Sequence, residues 1–278
     1  MTTSLLPPDF ADWLRLREPA DAAARSAELL DAIRRRLPAD RPLIVHDLGS
    51  GTGSMARWLA PRLPGPQRWV LHERDADLRA RAAAEPVVAA DGSPVTVLVR
   101  GSDITRLSAA DLADAHLVTA SALLDMLTAE EVERTVAACA GHPTLFAITV
   151  LGRVRFRPAD PLDAEFEAAF NAHQRRTVAG RALLGPDAVH VTVAAFRRRG
   201  VEVRIRASPW RLGPEQAALT AEWLVGWLDA AVEERPELAG VVHAYRERRL
   251  AEAADGRLRV VLHHADLLAG CTVAAGNT

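Results

Sequence analysis

The chain has 278 residues, 49% of them hydrophobic and 25% charged; this globular composition, with ample length for a buried core, excludes a largely disordered or fibrous protein. Its 34 basic and 36 acidic side chains leave a formal net charge of −2, so the whole-molecule field gives no reason to expect nucleic acid or an acidic membrane as partner. Every basic residue is arginine, which removes Schiff-base and pyridoxal-phosphate chemistry and the P-loop lysine, all of which need an amine.

Residues 9–37 carry apolar positions at helical spacing (Trp13, Leu16, Leu29, Leu30, Ile33) up to Pro38, which predicts a helical N-terminal cap over 1–41. An apolar run at 43–48 then ends in Gly49-Ser50-Gly51-Thr52-Gly53, and 54–63 is helical up to Pro64. Strands at 69–72, 95–99, 116–119 and 144–150 alternate with helices at 76–84 and 129–140. Such crossovers predict a doubly wound, mainly parallel α/β sheet within one domain, 42–278. After Leu151 come an arginine-rich turn (Arg153, Arg155, Arg157), two prolines and a helix at 162–177, read as a helical insertion over about 151–185. A helix at 186–199, a strand at 201–206, a helical block at 214–253 broken near Pro236, and a strand at 257–263 complete the pattern.

Cys139 and Cys271 stand 132 positions apart without a CxxC pair, neither a disulfide framework nor a zinc signature. Residues 1–17 do not read as a secretory signal, and the apolar stretch 217–232 carries Glu222 and Asp229 and is too short to span a bilayer. A cytoplasmic protein with no membrane partner is expected.

The glycine loop is the most informative segment. Glycines at alternate positions let the backbone turn sharply and let a ligand approach without Cβ obstruction. A dinucleotide fold is one reading, because Gly51-Thr52-Gly53-Ser54-Met55-Ala56 satisfies GxGxx(G/A) and Glu73 follows Gly51 by 22 positions. A short-chain reductase would also need a Tyr-x-x-x-Lys pair, which a chain with one tyrosine (Tyr245) and no lysine lacks.

The whole string Asp47-Leu48-Gly49-Ser50-Gly51-Thr52-Gly53 resembles the cofactor loop of class I S-adenosylmethionine-dependent methyltransferases. The resemblance implies that Asp47 orders the loop near the cofactor's amino-acid end while Gly49, Ser50, Gly51 and Gly53 pass beneath methionine and ribose. It also implies that Glu73, 20 residues after Gly53, accepts the ribose hydroxyls. In Gly101-Ser102-Asp103-Ile104 it places Asp103 on the adenine amino group and Ile104 against the ring, and in Thr119-Ala120-Ser121 it places Ser121 beneath the sulfonium. The strand order 3-2-1-4-5-7-6 of a seven-stranded sheet comes from the same resemblance. The segment after strand four lacks Asn/Asp-Pro-Pro-Tyr, which disfavours amino-group DNA and protein-glutamine acceptors.

The function this implies is S-adenosylmethionine-dependent methyl transfer to a small-molecule acceptor; the alternatives are an NAD(P)-dependent oxidoreductase and a noncatalytic S-adenosylmethionine-binding partner protein. In the insertion, Phe170-Asn171-Ala172-His173-Gln174-Arg175-Arg176 stands out, and His173 is the candidate base or acceptor ligand because imidazole titrates nearest neutrality. Trp210 reads as core, and His263-His264 as strand neighbours facing opposite ways, so no metal is expected.

Overall fold

The computed structural model describes residues 9–38 and 40–270; Cys271 lies outside them. Parallel strands β1 (Leu43–Leu48), β2 (Gln67–His72), β3 (Val95–Arg100), β4 (Leu117–Ser121) and the first half of β5 (Thr144–Arg157) form one half of the sheet. A two-stranded hairpin, β6 (Thr177–Val178) and β7 (Arg181–Ala182), stands apart. Beyond it β8 (Val203–Ala207), β9 (Trp210–Leu212) and β10 (Arg259–Ala269) complete the main sheet. The path is β3-β2-β1-β4-β5-β10-β8, with β9 also paired to β10. Strand β10 runs antiparallel between β5 and β8. The seven strands therefore follow the expected order, and β9 is an eighth among the described residues.

Burial follows from this order. The central strands β1 and β4 are buried along nearly their whole length, apolar at first and polar towards their carboxyl ends, whereas β3 at the edge alternates. On one face lie α2 (Ala27–Arg34), α3 (Ser54–Leu59) and α4 (Ala76–Ala84), packed around Leu59, Trp69 and Leu71. On the other, α5 (Ala129–Cys139) and α7 (Ala188–Arg198) pack around Val132, Phe146 and Phe196. A third cluster joins α1 (Phe10–Ala24), α6 (Asp163–Gln174), α8 (Ala217–Glu234) and α9 (Ala239–Ala254) around Phe156, Trp210, Trp227 and Tyr245. Trp210 is core, as expected.

One expectation needs correction. The arginine-rich turn after Leu151 is a strand: β5 continues to Arg157 with Val154 and Phe156 turned inward and Arg153, Arg155 and Arg157 outward. The alternation has a period of two, and the run of charge hid it. The N-terminal cap consists of two helices. It breaks after Ala24, where Arg25 leaves helical geometry (φ −57°, ψ 137°) and the Ser26 hydroxyl accepts a hydrogen bond from Leu29 N at 3.3 Å to start α2.

The break is held by the sheet. Asp266 of β10, 1% exposed, accepts from Ser26 N and from Ile148 N, both at 2.8 Å. Ile148 has φ +54°, a left-handed conformation costly for a β-branched residue, so its N–H depends on this acceptor. Asp266→Ala strands two buried donors at about 1–3 kcal/mol each, and urea unfolding should show a loss of about 2–4 kcal/mol. A loss within about 0.5 kcal/mol would remove Asp266 from this role.

Candidate functional site

The site lies at the carboxyl ends of β1, β2 and β4, under the N-terminal cap. Three glycines of the β1–α3 loop take positive φ (Gly49 +63°, Gly51 +55°, Gly53 +85°), which explains their alternation: each turns the chain through left-handed backbone. The space above them is used by this chain itself. A Cβ at Gly49 would stand 3.0 Å from Leu123 Cδ1, and one at Gly51 would stand 3.1 Å from Leu14 Cδ1 of α1. Arg57 holds α1 down on the loop: Nε and Nη2 donate to Glu18 Oε1 and Oε2 at 2.8 and 2.6 Å, and Nη1 donates to Thr52 O at 2.5 Å. On its other side α1 is fixed by Asp21, which accepts from Trp210 Nε1 at 2.9 Å and pairs with Arg17 at 3.1 Å.

Glu73 follows β2 and is 8% exposed. Its Oε2 accepts from Gly51 N and its Oε1 from Asp75 N, both at 2.9 Å. The carboxylate therefore ties the glycine loop to the β2 end. Removal of Glu73 is then a change to the loop itself, a structural role the sequence does not reveal.

Asp47 and Arg25 occupy the floor. Asp47 is 1% exposed, and its Oδ1 accepts from Thr119 Oγ1 at 2.7 Å while Oδ2 has no partner among the described residues. Burial pushes its carboxyl up to about 7 against the lowering effects of Thr119 and Arg25. Arg25 is 5% exposed; Nη2 donates to Ser121 Oγ at 3.1 Å, and its guanidinium lies over the Trp58 ring at 5.1 Å. Among the described residues its Nε and Nη1 have no partner, nor does the buried Ser50 Oγ. Burial lowers the Arg25 pKa against the fields of Asp21, Asp266 and Asp47. Sequence reasoning missed Arg25: one arginine in a helical stretch carries no mark of a chain break that turns it inward.

A second polar chain backs the loop. His46 Nδ1 and His72 Nε2 stand 3.0 Å apart, His46 Nε2 meets Asp114 Oδ1 at 3.0 Å, and His72 Nδ1 meets Ser102 Oγ at 3.1 Å. His72 is pushed down to about 4, chiefly by burial and then by His46. Its carbonyl accepts from Ser50 N at 3.1 Å, so this network joins the glycine loop to the segment after β3.

No protein-family model matches the sequence, and no curated protein is a detectable relative. Among solved structures the chain is similar to the cyclopropane synthase MmaA2 of Mycobacterium tuberculosis, with TM-score 0.50 and 14% identity over 96% of this chain and 100% of that one. The fold is that of the class I S-adenosylmethionine-dependent methyltransferases. A Geobacter sulfurreducens methyltransferase in complex with S-adenosyl-L-homocysteine gives 18% identity over 91% of this chain and 97% of that one at TM-score 0.43. A sarcosine dimethylglycine methyltransferase from Galdieria sulphuraria, described as putative, gives 12% over 95% and 91% at 0.40.

Within the methyltransferase fold, Asp47, Ser50, Glu73 and Ser121 converge with the three glycines. Asp103 stands further out, its side chain 44% exposed; Oδ1 accepts from Thr105 N and Oγ1, and Oδ2 lies 3.6 Å from Arg106. Ile104 is half-buried against the α5 side of the core. His173 meets other groups than those of the loop: Nε2 lies 3.2 Å from Glu233 Oε2 of α8, and Nδ1 lies 3.2 Å from Arg176 Nη1. Asn171 Nδ2 donates to Gly152 O at 2.7 Å, and Arg175 pairs with Asp187. Among the described residues no three His, Cys, Asp or Glu side chains are grouped to hold a metal, and no helix is long and apolar enough to cross a membrane.

Asp47 sets a pH dependence. Its folded pKa of about 7 lies above the ordinary carboxylate value, so the folded state binds more protons than the unfolded chain between about pH 4 and 7. This group's contribution to stability therefore falls as pH rises through that window and is level above it. Asp47→Asn keeps an acceptor for Thr119 and removes the titration. Urea midpoints from pH 4.5 to 8 should show a gain for the variant over wild type that grows towards pH 8; a constant difference would place the Asp47 titration outside this window.

Proposed function

We propose that this chain is a methyltransferase that takes S-adenosylmethionine as cofactor and methylates a small-molecule acceptor. The observation that carries the reading is the pair of buried, opposite and unmatched charges on the floor of the site. Among the described residues Arg25 presents Nε and Nη1 without partners and Asp47 presents Oδ2 without one, and each group feels the other's field without pairing with it. Buried charges held apart in this way complement a zwitterion: a guanidinium for an α-carboxylate and a carboxylate for an α-ammonium. S-adenosylmethionine has that head and a nicotinamide dinucleotide does not, so the site favours the first over the oxidoreductase reading.

The bound cofactor supplies an electrophilic methyl group on a sulfonium. The chain's own residues orient and enclose. Glu73, already holding Gly51 N and Asp75 N, has lone pairs left for ribose hydroxyls, and Asp103 Oδ2 and Ile104 are assigned to the adenine end. Ser121, fixed by Arg25, lines the floor beneath the reacting centre, and α1 with Leu14 excludes water. Direct displacement needs alignment above all, and a base only if the acceptor must lose a proton. His173 is assigned to the acceptor side as a positioning residue, since its Glu233 contact links α6 to α8.

Calorimetry should give micromolar-order affinity for S-adenosylhomocysteine and far weaker binding of NADH and NADPH; the reverse order would overturn the proposal. Arg25→Met should weaken the thioether by at least about tenfold while the free protein loses no stability, because an unmatched buried charge has been removed. Near pH 6, binding of an ammonium beside Asp47 should release up to about one proton, read from binding enthalpies in buffers of different ionisation heat, and Asp47→Asn should release none. His173→Gln should leave cofactor affinity and the shape of the pH–rate profile unchanged; loss of a limb of that profile would make it the base instead.

A further inference from the structure

Away from the cleft, the second half of β5 joins β10 and β9 in a three-stranded extension with two unlike faces. The inner face, Phe156, Leu212, Val260 and Leu262, belongs to the third core cluster. On the outer face the register sets Arg157 directly opposite Arg259, and Arg155 and Arg211 on either side of Val261. All four arginines, and Arg153 beside them, are exposed. None makes an ion pair within the described residues, whereas Arg257 next to them is paired with Asp255. Like charges directly across a sheet are destabilising, so the fold retains this face against its own electrostatics.

Two further observations locate a site within the face. His263, half-buried, lies in the fields of Arg153, Arg155 and Arg211; its pKa is lowered by burial first and then by those three, with Glu167 of α6 opposing. Glu167 is itself engaged, accepting from Val154 N at 2.6 Å. An open hollow of about 470 Å³ adjoins, lined by Arg211, Arg259, Val261, Gly213 and Pro214 and by one acidic residue, Glu215.

We propose that this arginine face around His263 binds the phosphoryl group of a small molecule. Guanidinium forks match phosphate oxygens two at a time, and the flanking arginines give the charge that His263 and Val261 lack. The footprint spans roughly 10 Å across three strands and ~13 Å along them, room for one or two phosphoryl groups. No phenylalanine, tyrosine or tryptophan is on this face to stack a base, and the chain's net charge is −2, so a nucleic-acid strand is the less suited occupant.

The site is independent of the cofactor reading and is tested without turnover. Pyrophosphate, titrated into the whole protein at constant ionic strength, should bind saturably. It should raise the His263 titration midpoint, followed by ring NMR, by about half a pH unit or more, since an anion among the arginines favours imidazolium. Arg155→Gln and Arg211→Gln should each weaken pyrophosphate by about fivefold or more. The exposed position of both residues keeps the variants folded, which unchanged thermal midpoints and unchanged S-adenosylhomocysteine affinity would check. The proposal is overturned if chloride at equal ionic strength moves His263 as far as pyrophosphate does, or if the two variants bind pyrophosphate like wild type. It is equally overturned if a single-stranded oligonucleotide or polyglutamate binds these arginines more tightly than pyrophosphate, which would make the face a docking surface for a macromolecule.

Discussion

One buried carboxylate sets the geometry on which the site depends. Asp266 accepts the N–H of Ser26 at the helix break and the N–H of Ile148 at the left-handed kink of β5. Each donor would be orphaned without it, and burial alone raises the carboxyl's pKa, so acceptor and donors require one another. From that contact the rest follows. The chain turns at Arg25, the guanidinium points inward to Ser121 instead of outward to water, and α1 is carried across the glycine loop to where Glu18 meets Arg57.

The floor of the site is costly for the protein alone. A buried cation and a buried carboxyl could neutralise each other as an ion pair, but each is turned to a neutral hydroxyl: Ser121 for Arg25, Thr119 for Asp47. Burial moves both pKa values towards the uncharged form, and the field of each group on the other only partly opposes it. Such an arrangement is poor as a stabilising device and well suited as a preorganised receptor, because the atoms left without partners need no rearrangement to meet a ligand.

Legibility in the sequence followed the range of the interactions. The glycine loop, the acid after β2 and the alternation of strands and helices are local patterns, and the structure has them where the spacing predicts. Arg25 was illegible because its role comes from Asp266 and Ser121, far away in sequence, and nothing local separates it from the other arginines. The outer half of β5 reads as a turn from its charged alternate residues, although Val154 and Phe156 keep the period of a strand. His173 stands among the polar residues at 171–176, and besides Arg176 of that stretch it meets Glu233 of α8, a neighbour that no local spacing could indicate.

The order of synthesis adds a consequence. Ser26 and Asp266 are 240 residues apart, and β10 must enter between β5 and β8. A nascent chain has the glycine loop, β1 and α1 long before it has the strand that fixes the helix break. Until β10 emerges, Arg25 has no reason to face inward, β5 and β8 show unpaired edges, and the contacts still to form are the longest-range ones in the molecule. The geometry of the floor is thus an all-or-nothing property of a chain that already contains β10, and fragments released before that strand expose two sheet edges.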